Sequence, residues 1–390
     1  AAAGAAAAPA AAPSAAAEEA PCRRVLLLLR HGQCCHDDDG TDSLKALTVH
    51  GHRQAEESAK HVARLFEAGH VPAQRALLHS TSRRARETAA KLPPHLDGIE
   101  VWNADLLRET DPTKNPLRAE EVFQRIFIAP PVGVTDTLIV VAHNNIILYL
   151  LMRAAGVPIE RACMAWSLFH LQHASLTRVD VIGGKPGTPT TMQIISVGAA
   201  GHIPRESLTW HNVGGADLSE WAGGGPDRHK LSGRTVVLVR QASSSSAAGG
   251  RQTDAVAAHI KGLSECQVSG HLMVACTSGA ERTANAIAMK FRTVPNVLPD
   301  DISAEPEAAF LQYVVPPTSH SRDTVVMVAE DGPVLYWLLR ALNMSPEEAK
   351  AAAASYCIGH ASITLVNVKS SGATRIVSVG DTGHIPLDCM

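Results

Sequence analysis

Two histidines in this sequence each stand directly after an apolar run. Val25 to Leu29 lead without a polar residue into Arg30, His31 and Gly32, and Leu138 to Ala142 lead likewise into His143, Asn144 and Asn145. Runs this short and this apolar read as strands buried on both faces, the pattern of a parallel sheet. Ligands of open α/β sheets bind beyond the carboxyl ends of such strands. An imidazole placed there can attack phosphorus through a neutral ring nitrogen, and a guanidinium can hold phosphate oxygens in a bidentate fork. Gly32 lets the backbone turn sharply and approach a ligand closely. A single buried histidine is ordinarily structural, but two at matching strand ends point to a site.

Two more stretches supply the groups such chemistry needs. Ala76 to His79 read as a strand, and Ser80, Thr81 and Ser82 then offer hydroxyls to cap a helix whose inner face includes Ala85, Thr88, Ala89 and Leu92. Arg84 falls in the first turn of that helix, where the macrodipole disfavours a cation, and a bound anion would reverse the penalty. Glu109 ends a short extended segment and would serve as a general acid if burial or neighbouring negative charge raised its pKa. The elements that must position these residues are also legible. Thr48 is an N-cap for a helix with Ala55, Ala59, Val62, Ala63 and Phe66 on its buried face, and Ile146 to Ala155 form a buried helix closed by Gly156.

The 390 residues are long for one core and imply two domains. With 45% hydrophobic and 19% charged residues the chain reads as soluble and globular, and a net charge of −3 carries no nucleic-acid footprint. No apolar run reaches the length of a membrane span. The eight cysteines include no CxxC spacing, which argues for reduced thiols and against a disulfide framework or a zinc site. Cys34 and Cys35 read as ordinary loop thiols in preference to a redox site. Residues 1–20 are an Ala/Pro-rich tail without arginine, unlike a typical transit peptide, and open on Ala as a processed or trimmed form would. Alone the tail is expected to be disordered, and to order on a partner. Residues 21–205 form one domain and 206–233 a linker in which Trp210 and Trp221 are expected to pack on a surface.

From Arg234 to the end at residue 390 the chain starts over. Thr235 to Ala242 repeat the opening strand and turn, Val326 to Gly332 repeat Val140 to Asn145, and Leu335 to Ala341 match Leu148 to Ala154. His360 to Thr364 match His173 to Thr177, and Ser378 to Pro386 match Ser196 to Pro204. The framework repeats while the chemistry does not. His31 becomes Gln241, His143 becomes Glu330, Arg84 aligns with Gly279, and only the first arginine survives, as Arg240.

In this order, Arg30-His31-Gly32, Leu47-Thr48 with Gly51 and Gln54-Ala55, Ser80 with Arg84-Ala85 and Glu87-Thr88, and Ala142-His143 resemble the histidine phosphatase superfamily, the phosphoglycerate mutase-like fold. Gln33, His79-Ser80, Leu106 to Glu109 and the ending near Gly198 to Pro204 are most similar to its mitochondrial Ser/Thr protein phosphatase branch. The resemblance spans about residues 23–205 and, degraded, 234–388. It implies an α/β protein of two tandem α/β/α sandwich domains with mostly parallel sheets, the second a pseudoenzyme. His31 would carry the phosphoryl group, Arg30, Arg84 and His143 would clamp its oxygens, and Glu109 would protonate the leaving oxygen. No metal or organic cofactor is implied. The substrate would be a phosphorylated protein or a small phosphoester, and the location mitochondrial by resemblance, otherwise cytoplasmic. The sequence lacks the N-terminal membrane anchor frequent in that branch, has Thr81 where the family has proline, and follows His143 with two asparagines. Only a short Pro-rich stretch, Asp111 to Asp136, separates Glu109 from the last catalytic strand, and an open pocket of that kind fits hydrolysis better than mutase chemistry. The alternative reading is an accessory subunit of a large mitochondrial assembly with vestigial activity. Its protein partners would be met through the N-terminal tail and the C-terminal half.

Overall fold

The computed structural model of the protein describes residues 22–36, 45–164, 168–169, 171–183, 190–209, 213–214, 234–244, 246–267, 272–298, 305–315, 323–369 and 373–390. The Ala/Pro tail and most of the 206–233 linker, with Trp210 and Trp221, lie outside the described residues.

Strand β1 (Cys22–Arg30) sits at the centre of the first half, with Val25 to Leu29 all 0% exposed, as an unbroken apolar run requires. A two-residue strand, β2 (Cys35–His36), follows the turn after it, and helix α1 (Val49–Glu67) comes next, capped by the Thr48 side chain accepting from Gly51 N. Then come β3 (Arg75–Ser80), α2 (Arg83–Ala89) and β4 (Glu100–Ala104). Helix α3 (Pro116–Ile126), strand β5 (Thr135–Ala142), helix α4 (Asn144–Ala154) and the single turn α5 (Ile159–Ala162) complete the parallel part. Strands β6 (Leu176–Gly183) and β7 (Thr191–Ala199) return antiparallel, and β8 (Val213–Gly214) pairs with β2. Helix α3 falls in the stretch expected to be a short Pro-rich connection. Its proline explains the difference: Pro116 occupies the first helical position behind the Asn115 cap, where its missing N–H costs nothing.

Because side chains alternate along a strand, β1 faces two cores. Val25, Leu27 and Leu29 pack with Ala59, Val62, Ala85 and Ala89 of α1 and α2, whereas Leu26 and Leu28 pack with Ile147, Leu150 and Leu151 of α4. The result is helix, sheet, helix.

The second half holds β9 (Arg234–Arg240), α6 (Ser246–Gln267), β10 (Leu272–Cys276), α7 (Glu281–Phe291), β11 (Asn296–Val297), α8 (Pro306–Ala309), β12 (Thr324–Ala329), α9 (Asp331–Ala341), α10 (Pro346–Ala352), β13 (Ile363–Val368) and β14 (Thr374–Asp381). One sheet of twelve strands runs through both halves in the order β11-β10-β12-β9-β13-β14-β7-β6-β1-β5-β3-β4. Read from either end, a four-stranded parallel block leads into an antiparallel pair, and the two antiparallel pairs meet at Val197 opposite Val379. The fold is mixed α/β around this large sheet. Val236 and Leu238 of β9 belong to the same core cluster as Leu26 and Leu28, so apolar packing is continuous across the junction. Local contacts recur as well. Glu120 accepts from Tyr149 OH at 2.7 Å and Arg153 Nε at 2.8 Å, and Glu307 does so from Tyr336 and Arg340 at the same distances.

Each half also stacks two imidazoles. His61 of α1 lies on His202 with centroids 4.4 Å apart, and His259 of α6 lies on His384 at 4.6 Å. Burial, with Arg64 adding to it, pushes His61 down to about 4. Burial puts His202 well below the ordinary value, with His61 and Arg64 adding. Burial also lowers His384 to about 4, against the opposing effect of its ring donating to Ala361 O. His259 falls to about 3, through burial, then His384 and Arg205, with Asp381 opposing. These rings are neutral in the fold, whereas in the unfolded chain they take up protons below their ordinary value near 6.5. Stability is therefore fully present above pH 6.5 and is lost as pH falls toward 4 and then 3. Between 6.5 and about 4 the share of His61 is about 3 kcal/mol. In His61→Phe, which keeps a stacked ring but cannot ionise, urea unfolding at pH 7.5 and pH 5 should differ less than in the wild type. An equal difference would contradict this account.

Candidate active site

The parallel register sets Arg30 opposite Ala142, so β1 and β5 end level and deliver His31 and His143 side by side, their rings 5.1 Å apart at 60°. The backbone seals the pair, with His31 N donating to Ala142 O at 3.1 Å. On the other side of β5, β3 ends at Ser80 and the chain turns into α2, whose first turn carries Arg84. Ser82 occupies the cap position of α2 as expected, yet its hydroxyl makes no cap bond.

Arg84 Nε donates to His31 Nε2 at 3.1 Å. A guanidinium only donates, so His31 Nε2 carries a lone pair, and the ring proton sits on Nδ1, which donates to Gly32 O at 2.7 Å. Burial drives the His31 pKa well below its ordinary value, and His143, Arg84, Arg30 and His173 add to the effect. The imidazole is thus neutral at physiological pH, with its nucleophilic nitrogen facing a cation. Thr88 locks the arrangement: its hydroxyl accepts from Gly32 N at 3.1 Å and donates to Arg84 O at 2.8 Å. The turn also needs glycine on both sides of a close approach. A Cβ on Gly32 would lie 2.4 Å from Gly51 O, and one on Gly51 would lie 2.0 Å from Gln33 O.

Arg30 donates through Nη1 to Leu171 O and through Nη2 to His173 Nε2 at 3.0 Å. Burial lowers its pKa to about 10, with Glu109 and Cys34 opposing and Arg84 adding, so it remains a cation at neutral pH. The same interaction places Glu109, half-buried, within electrostatic range of Arg30. His143 Nε2 lies 2.9 Å from Ser80 Oγ, and the histidine is fully buried. Of the residues singled out from the sequence, Arg30, His31, Arg84 and His143 converge, and Glu109 stands beside them. Cys34 is also near, but with 0% exposure it is packed in the turn as an ordinary thiol would be.

Sequence reasoning missed His173 as part of this cluster. Its Nε2 must accept from Arg30, so its proton lies on Nδ1, which donates to Thr209 Oγ1 at 2.9 Å. Thr209 Oγ1 also accepts from Gln54 Nε2 at 2.7 Å, and Gln54 Oε1 in turn accepts from Gln33 N at 2.9 Å. A chain of side chains therefore runs from the turn around to the back of Arg30. The signal was the antiparallel start of β6: Leu176 pairs with Leu29, so residues just before β6 must lie beside the end of β1. The repeat marked His173, but only as framework.

At the end of β9 in the second half two backbone contacts resemble those after β1. Gln241 N donates to Ala329 O at 2.7 Å and Ala242 N to Thr283 Oγ1 at 3.1 Å. The groups around it differ. Gln241, Gly279 and Glu330 are the residues expected from the sequence to stand for His31, Arg84 and His143, and Arg240 lies 3.8 Å from the Asp331 carboxylate.

Residues 26–115 match the family model of the histidine phosphatase superfamily (branch 1), the segment that holds Arg30, His31, Arg84 and Glu109. The chain therefore carries a histidine phosphatase superfamily domain. It is similar to the mitochondrial serine/threonine-protein phosphatase PGAM5 of Xenopus tropicalis, 27% identical over 201 residues that cover 46% of this chain and 66% of that protein. The Pgam5 of Drosophila persimilis is 30% identical over 203 residues, covering 46% of this chain and 65% of that one. This chain thus spans just under two thirds of the length of those relatives. Among solved structures, a phosphoglycerate mutase from Plasmodium falciparum is 24% identical with a TM-score of 0.34, covering 49% of this chain and 99% of its own.

His173→Leu would leave Arg30 Nη2 and Thr209 Oγ1 without this partner in a buried place. The expected cost is about 1–3 kcal/mol of stability, read by urea unfolding. Affinity for orthovanadate, a phosphate mimic, should fall at least tenfold as Arg30 loses its fixed orientation. Unchanged vanadate affinity would remove His173 from the site.

Proposed function

We propose that residues 21–205 hydrolyse phosphomonoesters through a phosphohistidine on His31. The observation that carries this reading is the bare Nε2 of a buried, neutral His31 held against the Arg84 guanidinium. Nε2 attacks phosphorus, the P–O ester bond breaks, and Glu109 gives its proton to the leaving oxygen. Arg30, Arg84 and His143 hold the phosphoryl oxygens as charge builds on them. Glu109 then takes a proton from water, the water oxygen attacks phosphorus, and the N–P bond breaks to release inorganic phosphate and restore His31. Arg84 exchanges its bond to His31 for one to a phosphoryl oxygen as the substrate enters.

The substrate we assign is a phosphorylated Ser or Thr side chain of a protein, in mitochondria. The names of the relatives support both parts of this assignment. Residues 234–390 are read as a degenerate second copy of the same domain. Support for that reading comes from the recurring strand order and from the matching Glu120 and Glu307 networks. In this copy Glu330 would repel the dianion that His143 meets in the first. Two lost charge-assisted contacts, those of Arg84 and His143, cost about 3–6 kcal/mol there, or roughly two to four powers of ten in rate.

Incubation with a labelled phosphopeptide, followed by a rapid quench at alkaline pH, should leave acid-labile phosphate on the wild-type chain and none on His31→Ala. The full-length His31→Ala chain should also show no turnover, because the second half cannot substitute. Arg84→Ala should lower kcat by about 10²–10³-fold. Equal labelling of wild type and His31→Ala, or turnover by the latter within tenfold of wild type, would overturn the reading.

A further inference from the structure

An unassigned cavity of about 410 Å³ opens at the junction of the two halves. The first half contributes Met152 at the end of α4, the turn after it, and α5 with Met164. The second contributes Leu339 and Leu342 at the end of α9, Met344 after it, and Tyr356 beyond α10. Helix α4 starts beside His143 and ends at Ala154, so the cavity lies about one helix length, roughly 16 Å, from the phosphate-binding cluster. It is a separate place, within the 300–1,000 Å³ range of pockets that hold drug-sized ligands.

Its walls are apolar with one exception among the buried groups. Tyr356 is 7% exposed, and its backbone is fixed by Tyr356 N donating to Ala353 O at 3.0 Å and by Cys357 N donating to Ile194 O at 2.9 Å. Tyr356 lines the cavity, and its phenol makes no hydrogen bond to the described residues, so its hydroxyl is the polar group available to an occupant. Burial alone raises the phenol's pKa, so it stays a neutral donor at every physiological pH. The rim carries Glu160 and Arg161, and Arg161 already faces Glu348 at 3.5 Å. Two carboxylates against one engaged guanidinium give an anionic head no favourable place. Three methionines on the wall supply a polarizable surface that adapts to an irregular apolar body.

We propose that this cavity binds a neutral, largely apolar small molecule carrying one hydrogen-bonding oxygen, which meets the Tyr356 hydroxyl. Such a ligand touches both halves at once and ties their junction together, far from the chemistry of His31.

The test uses the full chain with 1-decanol as probe and decanoate, the same body with an anionic head, as control. Isothermal titration should give saturable binding of one decanol per chain, and decanol should raise Tm. Tyr356→Phe removes only the hydroxyl and should weaken decanol about three- to tenfold. Ala352→Trp, which fills the cavity from its wall, should abolish binding, and if that variant does not fold, Met164→Trp at the exposed mouth serves the same end. Decanoate should bind more weakly than decanol. Absence of saturable binding, undiminished binding by Tyr356→Phe and the tryptophan variant, or tighter binding of decanoate would each overturn the proposal.

Discussion

Strand β1 is closed in on every side. Its faces are covered by two helical layers and its edges are taken by β5 and β6, so polarity is confined to its ends: Arg23 and Arg24 pair with Asp180 and Asp136 at the amino end, and the carboxyl end is the outlet toward the candidate site. Arg30 and His31 stand at that outlet, and the remaining machinery is arranged by what this one strand allows. The parallel partner β5 must end level with it, which brings His143, and β3 must end one strand further on, which brings Ser80 and, a turn later, Arg84. The antiparallel partner β6 must begin there, which brings His173.

Collecting two guanidiniums and three imidazoles in a place nearly closed to water sets an electrostatic problem. The chain solves it in two ways. His31 stays neutral, since burial and the neighbouring cations both oppose a proton on it. The charge of Arg30 is shared out to Leu171 O, to His173 Nε2 and to the field of Glu109. Arg84 donates to a nitrogen lone pair, a weaker acceptor than a phosphate oxygen. The cluster therefore gathers two guanidiniums around a neutral imidazole lone pair at the carboxyl end of β1.

In the second half the end of β9 carries Arg240, whose guanidinium lies 3.8 Å from the Asp331 carboxylate, so this cation already has an acidic neighbour. The Glu307, Tyr336 and Arg340 network ties α8 to α9, and the stacked His259 and His384 tie α6 to the loop after β14, tasks independent of any ligand.

The sequence by itself determined the buried strands, the helix cap at Thr48 and the helix end at Gly156, and the convergence of Arg30, His31, Arg84 and His143. These follow from local pattern: an apolar run cannot be exposed, and a parallel sheet brings the ends of such runs together. Tertiary structure alone decided the rest. The tautomer of His31 depends on a guanidinium 53 residues away, and that of His173 on one 143 residues away. The helix α3 was hidden behind its prolines until Asn115 and Pro116 were seen acting together as a start signal. The halves share one sheet where Val197 pairs with Val379, flanked by the bridges of Phe169 with Ile376 and Ile194 with Tyr356, apolar residues like many others in the chain. Contacts between residues far apart in sequence leave no periodicity to read, because what selects them is the shape and charge of a partner that exists only once the chain has folded.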